Sequence, residues 1–356
     1  TISFRLISNL TVGDYTYTHV QTDRGSSPTQ QKAYWNATEK ALYVYGGASL
    51  PSSIWKTGET NDVLPDLTAS MNVAVTGSAG AETFNLNVDR AGSGAYTGNW
   101  TIDLKGGNDS LNSAKLKDAD SIDMGSGDDT VYVMLSGTNG TPALGSANIT
   151  KLDGGAGTDT LAFTESTVAA GSTLTLTTAN ATNFENLLGS NAVETLNGDN
   201  NANTIKGDGG ADTINGNGGN DILVASGNTL AGADSATTND NLYGGAGNDT
   251  LNGTAGDNIL DGGTGADTIY SGGGSDTIVI RSGDGGSSIE DADVITDFSD
   301  TNDIVGLSGL NFSDVTPQQG SGSYSSHVIV KENSTGDFLV IIQNQSIGNI
   351  DDNDFS

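Results

Sequence analysis

Between Gly244 and Ile280 the chain places one apolar residue at a fixed interval of nine: Leu251, Leu260, Ile269 and Ile278, each set among glycine, aspartate, asparagine and threonine. The same interval spaces Leu196, Ile205, Ile214 and Leu223 upstream, and Leu242 belongs to a weaker block that begins at Ser235. Side chains alternate faces along a strand, so a three-residue strand presents one of them inward. The pattern therefore predicts one short strand per nine residues, with position eight facing the core. Glycine at positions one, two and four predicts a tight loop before each strand, where positive φ and close backbone approach are needed. A fixed short period is the mark of a solenoid in which stacked neighbours supply the core. The expected fold is all-β: a right-handed parallel β-roll with two repeats per turn, so that loops two blocks apart stack on the same edge.

The clearest blocks start at Gly244, Gly253, Gly262 and Ser271, and an earlier contiguous run starts at Gly189, Gly198, Gly207 and Gly216. Between the runs the phase slips, and "ASGNTLAGAD" (225–234) reads as a surface insertion. Fainter copies lie further back: "GGAGTDTLA" (154–162), "GSGDDTV" (125–131), "GGNDSL" (106–111) and "GSAGAETFN" (77–85). Four regions follow: a small β-rich front at 1–76, an irregular solenoid with degenerate repeats at 77–188, the regular roll at 189–279, and a β cap at 280–356. In the front, "ISFRLI", "YTYTHV" and "ALYVYGG" read as short strands.

Charge changes this picture. Acidic residues outnumber basic ones by 44 to 13, giving a formal net charge of −31. Such a chain repels phosphate backbones and anionic headgroups, so neither nucleic acid nor membrane insertion is expected. Its apolar runs are also too short to span a bilayer. The same charge opposes compaction, which calls for a bound cation. There is no cysteine, hence no disulfide and no thiolate metal site.

Position six shows where the cation belongs. It is Asp249, Asn258, Asp267 and Asp276 in the later run, Asp240 in the weaker block, and Glu194, Asn203, Asp212 and Asp221 in the earlier run. Glycine loops can turn carbonyl oxygens inward, and position six adds a carboxylate, so stacked loops form an all-oxygen cage. Calcium accepts six to eight oxygen ligands with forgiving geometry, whereas magnesium keeps its waters and zinc or copper favours nitrogen or sulfur. The best cage is expected between the loops of Gly244, Gly245 and Gly247 and of Gly262, Gly263 and Gly265, with Asp249 and Asp267. On the opposite edge Asp240, Asn258 and Asp276 stack, and the neutral oxygen of Asn258 is expected to weaken its two neighbouring sites. Asp212 pairs with Glu194, and Asp221 with Asn203. The faint copies add Asp159, Asp129 and Asp109. Several calcium ions are expected, with affinities of about 10⁻⁴ to 10⁻³ M.

The nonapeptide G-G-x-G-x-D-x-U-x, met in "GGAGNDTLN" and "GGTGADTIY", resembles the repeats-in-toxin (RTX) family. "DADVITDFSDTNDIVGLSGL" (291–310) and "FLVIIQNQSIGNIDDNDFS" (338–356) are similar to the cap that follows such repeats in serralysin-type exported proteins. The resemblance implies a bacterial, extracellular protein exported by type I secretion through an uncleaved carboxy-terminal signal. No amino-terminal signal peptide is visible and the first residue is Thr1, so a processed form, a fragment or another export signal is expected. "STLTLTTANATNFENLLGSNAVETLNG" (172–198) loosely resembles strand segments of surface-layer and adhesin members.

No catalytic signature accompanies the repeats. The histidines are His19 and His327 alone, and neither an H-E-x-x-H nor a G-x-S-x-G motif occurs. The expected function is a calcium-stabilised extracellular structural protein that self-assembles into a surface layer, sheath or filament. Alternatives are the rigid terminal part of an adhesin that binds a surface ligand such as a glycan, and a secreted hydrolase with an unrecognised active site. The front carries Tyr15, Tyr17, Tyr34, Tyr43, Tyr45, Trp35 and Trp55, side chains suited to a self-association interface.

Overall fold

The computed structural model describes residues 4–12, 15–22, 32–36, 41–45, 72–77, 79–81, 83–85, 100–114, 120–133, 151–163, 171–176, 181–226 and 238–356. Every regular element among them is a β-strand or a single 3₁₀ turn. The chain forms two compact units, residues 1–167 with 177–184, and residues 168–176 with 185–356.

In the second unit the chain alternates between two sheets. One contains Asn186–Leu188, Thr204–Lys206, Ile222–Val224, Thr250–Asn252, Thr268–Tyr270 and Asp293–Ile295, each parallel to the next. The other contains Ser172–Thr175, Glu194–Asn197, Thr213–Gly218, Asn241–Ala246, Ile259–Thr264, Thr277–Arg281 and Ile304–Ser308, also parallel. This is the parallel β-roll that the spacing of nine requires. Its registers line up two apolar rows. Ile205, Leu223, Leu251, Ile269 and Ile295 form one, and Leu196, Ile214, Leu242, Leu260, Ile278 and Val305 form the other; all have zero exposure. Burying each of these side chains stabilises the fold by about 1.5–3 kcal/mol. Because one residue per repeat points inward, the core stays two rows wide.

Asp293–Ile295 and Ile304–Ser308 continue the two sheets past the last nonapeptide. The first then pairs with Phe338–Ile342, which is antiparallel to Val328–Glu332, which in turn is antiparallel to Val315–Gln319. The β cap is therefore built onto one sheet of the roll. Val328, Val330, Leu339, Val340 and Ile342 are buried beneath it. The edge of the other sheet is covered by the chain's last residues: the Leu307 amide donates to Ser356 and the Ser356 amide to Val305, at 2.7 and 3.1 Å.

The first unit repeats the plan with looser spacing. Thr83–Asn85, Ser110–Ala114, Thr130–Val133 and Thr160–Phe163 form one parallel sheet. Asn72–Thr76, Trp100–Asp103, Ser121–Asp123, Lys151–Asp153 and Ala181–Thr182 form a second. Ahead of them Phe4–Val12, Tyr15–Thr22, Lys32–Asn36 and Ala41–Tyr45 run antiparallel, the last joining Asn72–Thr76. The front is thus β-rich, while its aromatic side chains lie outside what the structure describes.

Candidate metal centre

Each position-six side chain of the second unit sits at the start of a strand, where the loop of its own repeat closes. From Asp212 onward the side-chain oxygen there accepts the backbone amide of the position-six residue one coil turn earlier. Asp249 donates to Asp267 Oδ1 at 2.7 Å, Asp240 to Asn258 Oδ1 at 2.9 Å and Asn258 to Asp276 Oδ1 at 2.8 Å. In the earlier run Glu194 donates to Asp212 Oδ1 at 2.8 Å and Asn203 to Asp221 Oδ1 at 2.7 Å. These are the pairs the sequence joins. The runs are continuous, because the amides of Asp212 and Asp221 reach Asp240 Oδ1 and Asp249 Oδ1, at 2.6 and 2.7 Å, across 28 residues instead of 18. Ten extra residues therefore leave both ladders in register. Of the expected surface insertion at 225–234, all but residues 225 and 226 lie outside the described part.

The second oxygen of the aspartates has a different fate. Oδ2 of Asp212, Asp221, Asp249, Asp267 and Asp276 is buried with no hydrogen-bond partner. It turns into its own loop, where a Cβ at Gly244 or Gly262 would overlap the Oδ2 of Asp249 or Asp267. The loop backbone is equally crowded with oxygen. Gly263 and Gly265, at φ 95° and 134°, lie so close to the carbonyl oxygens of Gly245 and Gly247 that a Cβ would overlap them. Buried carboxylates without partners and carbonyls aimed into the gap between stacked loops make a donor set of oxygen alone. Such a set fits calcium. Among the described residues no three His, Cys, Asp or Glu side chains converge on one point, so carbonyl oxygens would supply most of the ligands. A bound ion would supply positive charge; the chain supplies the register that brings the loops together.

Burial pushes these acids upward. Asp212 rises to about 9 by burial, aided by the charges of Glu194 and Asp240. Glu194 rises to about 7, and Asp221, Asp267 and Asp276 to about 6, in each case chiefly by burial. Asp249 is raised for the same reason.

Three expected ligands differ from the aspartates. The Asn258 Oδ1 is held by the Asp240 amide, and its Nδ2 donates to the carbonyls of Gly253 and Gly256, at 2.9 and 3.1 Å. Instead of lending a neutral oxygen, Asn258 fills its own loop with a donor. Glu194 is one methylene longer and folds back onto Ser190, accepting its hydroxyl and, at 2.8 Å, its amide. Asn203 Oδ1 accepts the Asp199 amide at 2.8 Å.

In the first unit Asp109, Asp129 and Asp159 form a ladder of the same kind. The Asp109 amide donates to Asp129 Oδ1 at 2.6 Å, and the Asp129 amide to Asp159 Oδ1 at 2.7 Å. The steps are 20 and 30 residues, which is why the copies looked irregular.

Sequence reasoning missed the continuation of the ladders into the cap. Asp267 donates to Asp293 Oδ1 and Asp276 to Asp303 Oδ1, at 3.0 and 3.1 Å. The step of 26 residues takes Asp293 out of the nine-residue phase, while Asp303, at 27, keeps the phase but lies one repeat beyond the 18-residue turn. The signal lies in the triplets Asp293-Val294-Ile295 and Asp303-Ile304-Val305, which keep the acid two residues before an inward apolar side chain. It also missed an exposed ladder at position five, where Asn248 Oδ1 accepts the Ala266 amide at 3.0 Å and Asp257 Oδ1 the Ser275 amide at 2.8 Å. That ladder runs in the opposite sense to the inner one.

Residues 188–225, 236–267, 243–278 and 252–285 match the RTX calcium-binding nonapeptide repeat in four copies. Repeats of this kind bind calcium at several sites and belong to extracellular proteins. Among solved structures the chain is similar to the extracellular lipase LipA from Serratia marcescens, at 14% identity over 81% of this chain and 40% of that one, with a TM-score of 0.26. The chain thus spans under half the length of that lipase. No curated protein matches it.

Proposed function

We propose that this chain is a non-enzymatic structural protein that calcium stiffens outside the cell and that self-assembles into a surface layer, sheath or filament. The observation that carries the calcium part is the run of buried aspartate Oδ2 atoms without partners along the roll. An acidic chain of this kind stays unfolded where calcium is scarce and folds where it is abundant, which suits export by type I secretion. The assembly part is supported by an open edge. Among the described residues Phe4–Val12 is the outermost strand of its sheet, nine residues long and paired along one side only, and a free strand edge of that length is a template for another chain. The repeats account for much of the sequence, and no catalytic motif accompanies them.

Electron microscopy of the purified chain at millimolar calcium and after EDTA tests the proposal. Ordered arrays that dissolve in chelator are expected. Monodisperse monomers at every concentration would overturn the assembly, and arrays indifferent to EDTA would overturn the role of calcium in it.

A further inference from the structure

We propose that the roll closes on one more calcium site, off the nonapeptide pattern, in which Asp293 of the cap joins Asp267 of the last complete G-G-x-G-x-D repeat. The site rests on the calcium reading above and extends it to the junction between roll and cap.

The two inner ladders end differently, and the difference locates the site. One ends on Asp303, and the protein satisfies both of its carboxylate oxygens. Oδ1 accepts the Asp276 amide at 3.1 Å, while Oδ2 accepts the Ser299 amide at 2.8 Å and the Ser271 hydroxyl at 3.1 Å. Beside it Asp297 accepts the amides of Ser271 and Gly272, at 2.8 and 3.0 Å. That end is closed by N–H and O–H donors. The other ladder ends on Asp293, which has zero exposure. Its Oδ1 accepts the Asp267 amide at 3.0 Å, but its Oδ2 is buried with no hydrogen-bond partner. Asp267, 1% exposed, leaves its own Oδ2 in the same condition.

Arg281, which pairs with the neighbouring Asp284 at 3.5 Å, does not fill this need. It also pairs with Asp261, and among the described residues no ion pair reaches Asp267 or Asp293. Asp284 is itself buried, and its charge bears on both carboxylates, so the pocket is more negative than two acids alone would make it. Buried ionised carboxylates are paired or coordinate a metal. Nitrogen and sulfur ligands are not at hand: there is no cysteine, and His19 and His327 lie far off in sequence, His327 in the outer part of the cap. Two carboxylates completed by carbonyl oxygens and water suit calcium, which tolerates irregular coordination. Asp293 opens the strand Asp293–Ile295, on which Phe338–Ile342 is laid in parallel register. An ion held there would make the order of the cap depend on calcium.

The test counts bound calcium by equilibrium dialysis and elemental analysis on the whole chain and on D293N and D303N. Asparagine at 293 keeps the acceptor for the Asp267 amide and removes the charge. D293N is expected to hold one ion fewer than the parent and D303N the parent number. Amide exchange across Phe338–Ile342 is expected to quicken in D293N at saturating calcium. The parent's full complement in D293N would overturn the site while leaving the repeats' own sites standing; a parent that binds no calcium would overturn the reading beneath both. Should D293N fail to fold, D284N takes its place. A raised calcium midpoint for protection of the cap supports the site, and an unchanged midpoint refutes it.

Discussion

Position six shows how much a single atom decides. Asp212, Asp221, Asp249, Asp267 and Asp276 each spend Oδ1 on the neighbouring amide and leave Oδ2 buried in the loop without a hydrogen-bond partner, so those loops need a cation. Asn258 keeps the first bond and replaces the second oxygen with an N–H₂ that satisfies the carbonyls of Gly253 and Gly256. Asn258→Asp is therefore expected to add one calcium ion to the saturated chain, counted by equilibrium dialysis. In EDTA near pH 6, where the calcium-free fold is still partly retained, the same variant is expected to melt lower than the parent, since it buries a further unpaired acid. An unchanged ion count would show that the loop has no room for the metal. The acids and glycines of the site were legible as letters at fixed intervals. The engagement of Asn258, Glu194 and Asn203 was not, because whether an amide or a longer carboxylate turns into its own loop depends on which donors the fold places beside it.

A strand of three residues holds its place only through its neighbours. Leu260 packs in a row between Leu242 and Ile278, all at zero exposure, so Leu260→Ala is expected to cost about 2–5 kcal/mol. Urea unfolding at saturating calcium measures it. Tyr243, one residue beyond Leu242 and 36% exposed, is expected to lose about 1 kcal/mol or less on the same substitution. These strands were legible because their apolar residues and acids share one period. The cap strands Asp293–Ile295 and Ile304–Ser308 obey the same local rule, acid then inward apolar residue, but at steps of 26 and 27 in place of the 18 of a regular turn, the first out of phase with nine and the second in phase with it. Their membership of the roll is a matter of register, which linear spacing does not encode once a loop lengthens. In the first unit the steps of 20 and 30 had the same effect.

For the whole molecule the governing quantity is charge, −31 formally at pH 7. Buried acids of the calcium-free fold have raised values: about 6 for Asp221, Asp267, Asp276 and Asp284, about 7 for Glu194 and about 9 for Asp212. A group whose folded pKa lies above its unfolded value lends stability that is fully present below the unfolded value, about 4 for a carboxylic acid, and is lost as pH rises through the folded one. The calcium-free chain is therefore expected to keep its β circular-dichroism signal near pH 4 and to lose it progressively between about 6 and 9. Calcium acts in the opposite sense, because its ligands must shed their protons, so its midpoint concentration is expected to rise as the solution is acidified. A calcium-free chain that grows more stable from pH 5 to pH 9 would contradict the assignment of buried, partnerless acids.

The 28-residue step between Asp212 and Asp240, matched by that between Asp221 and Asp249, leaves both carboxylate columns unbroken. Any foreign peptide grafted at that seam would enter and leave the scaffold without disturbing the rungs on either side. That seam is a natural splice point, where added cargo is expected to leave the two carboxylate columns in step.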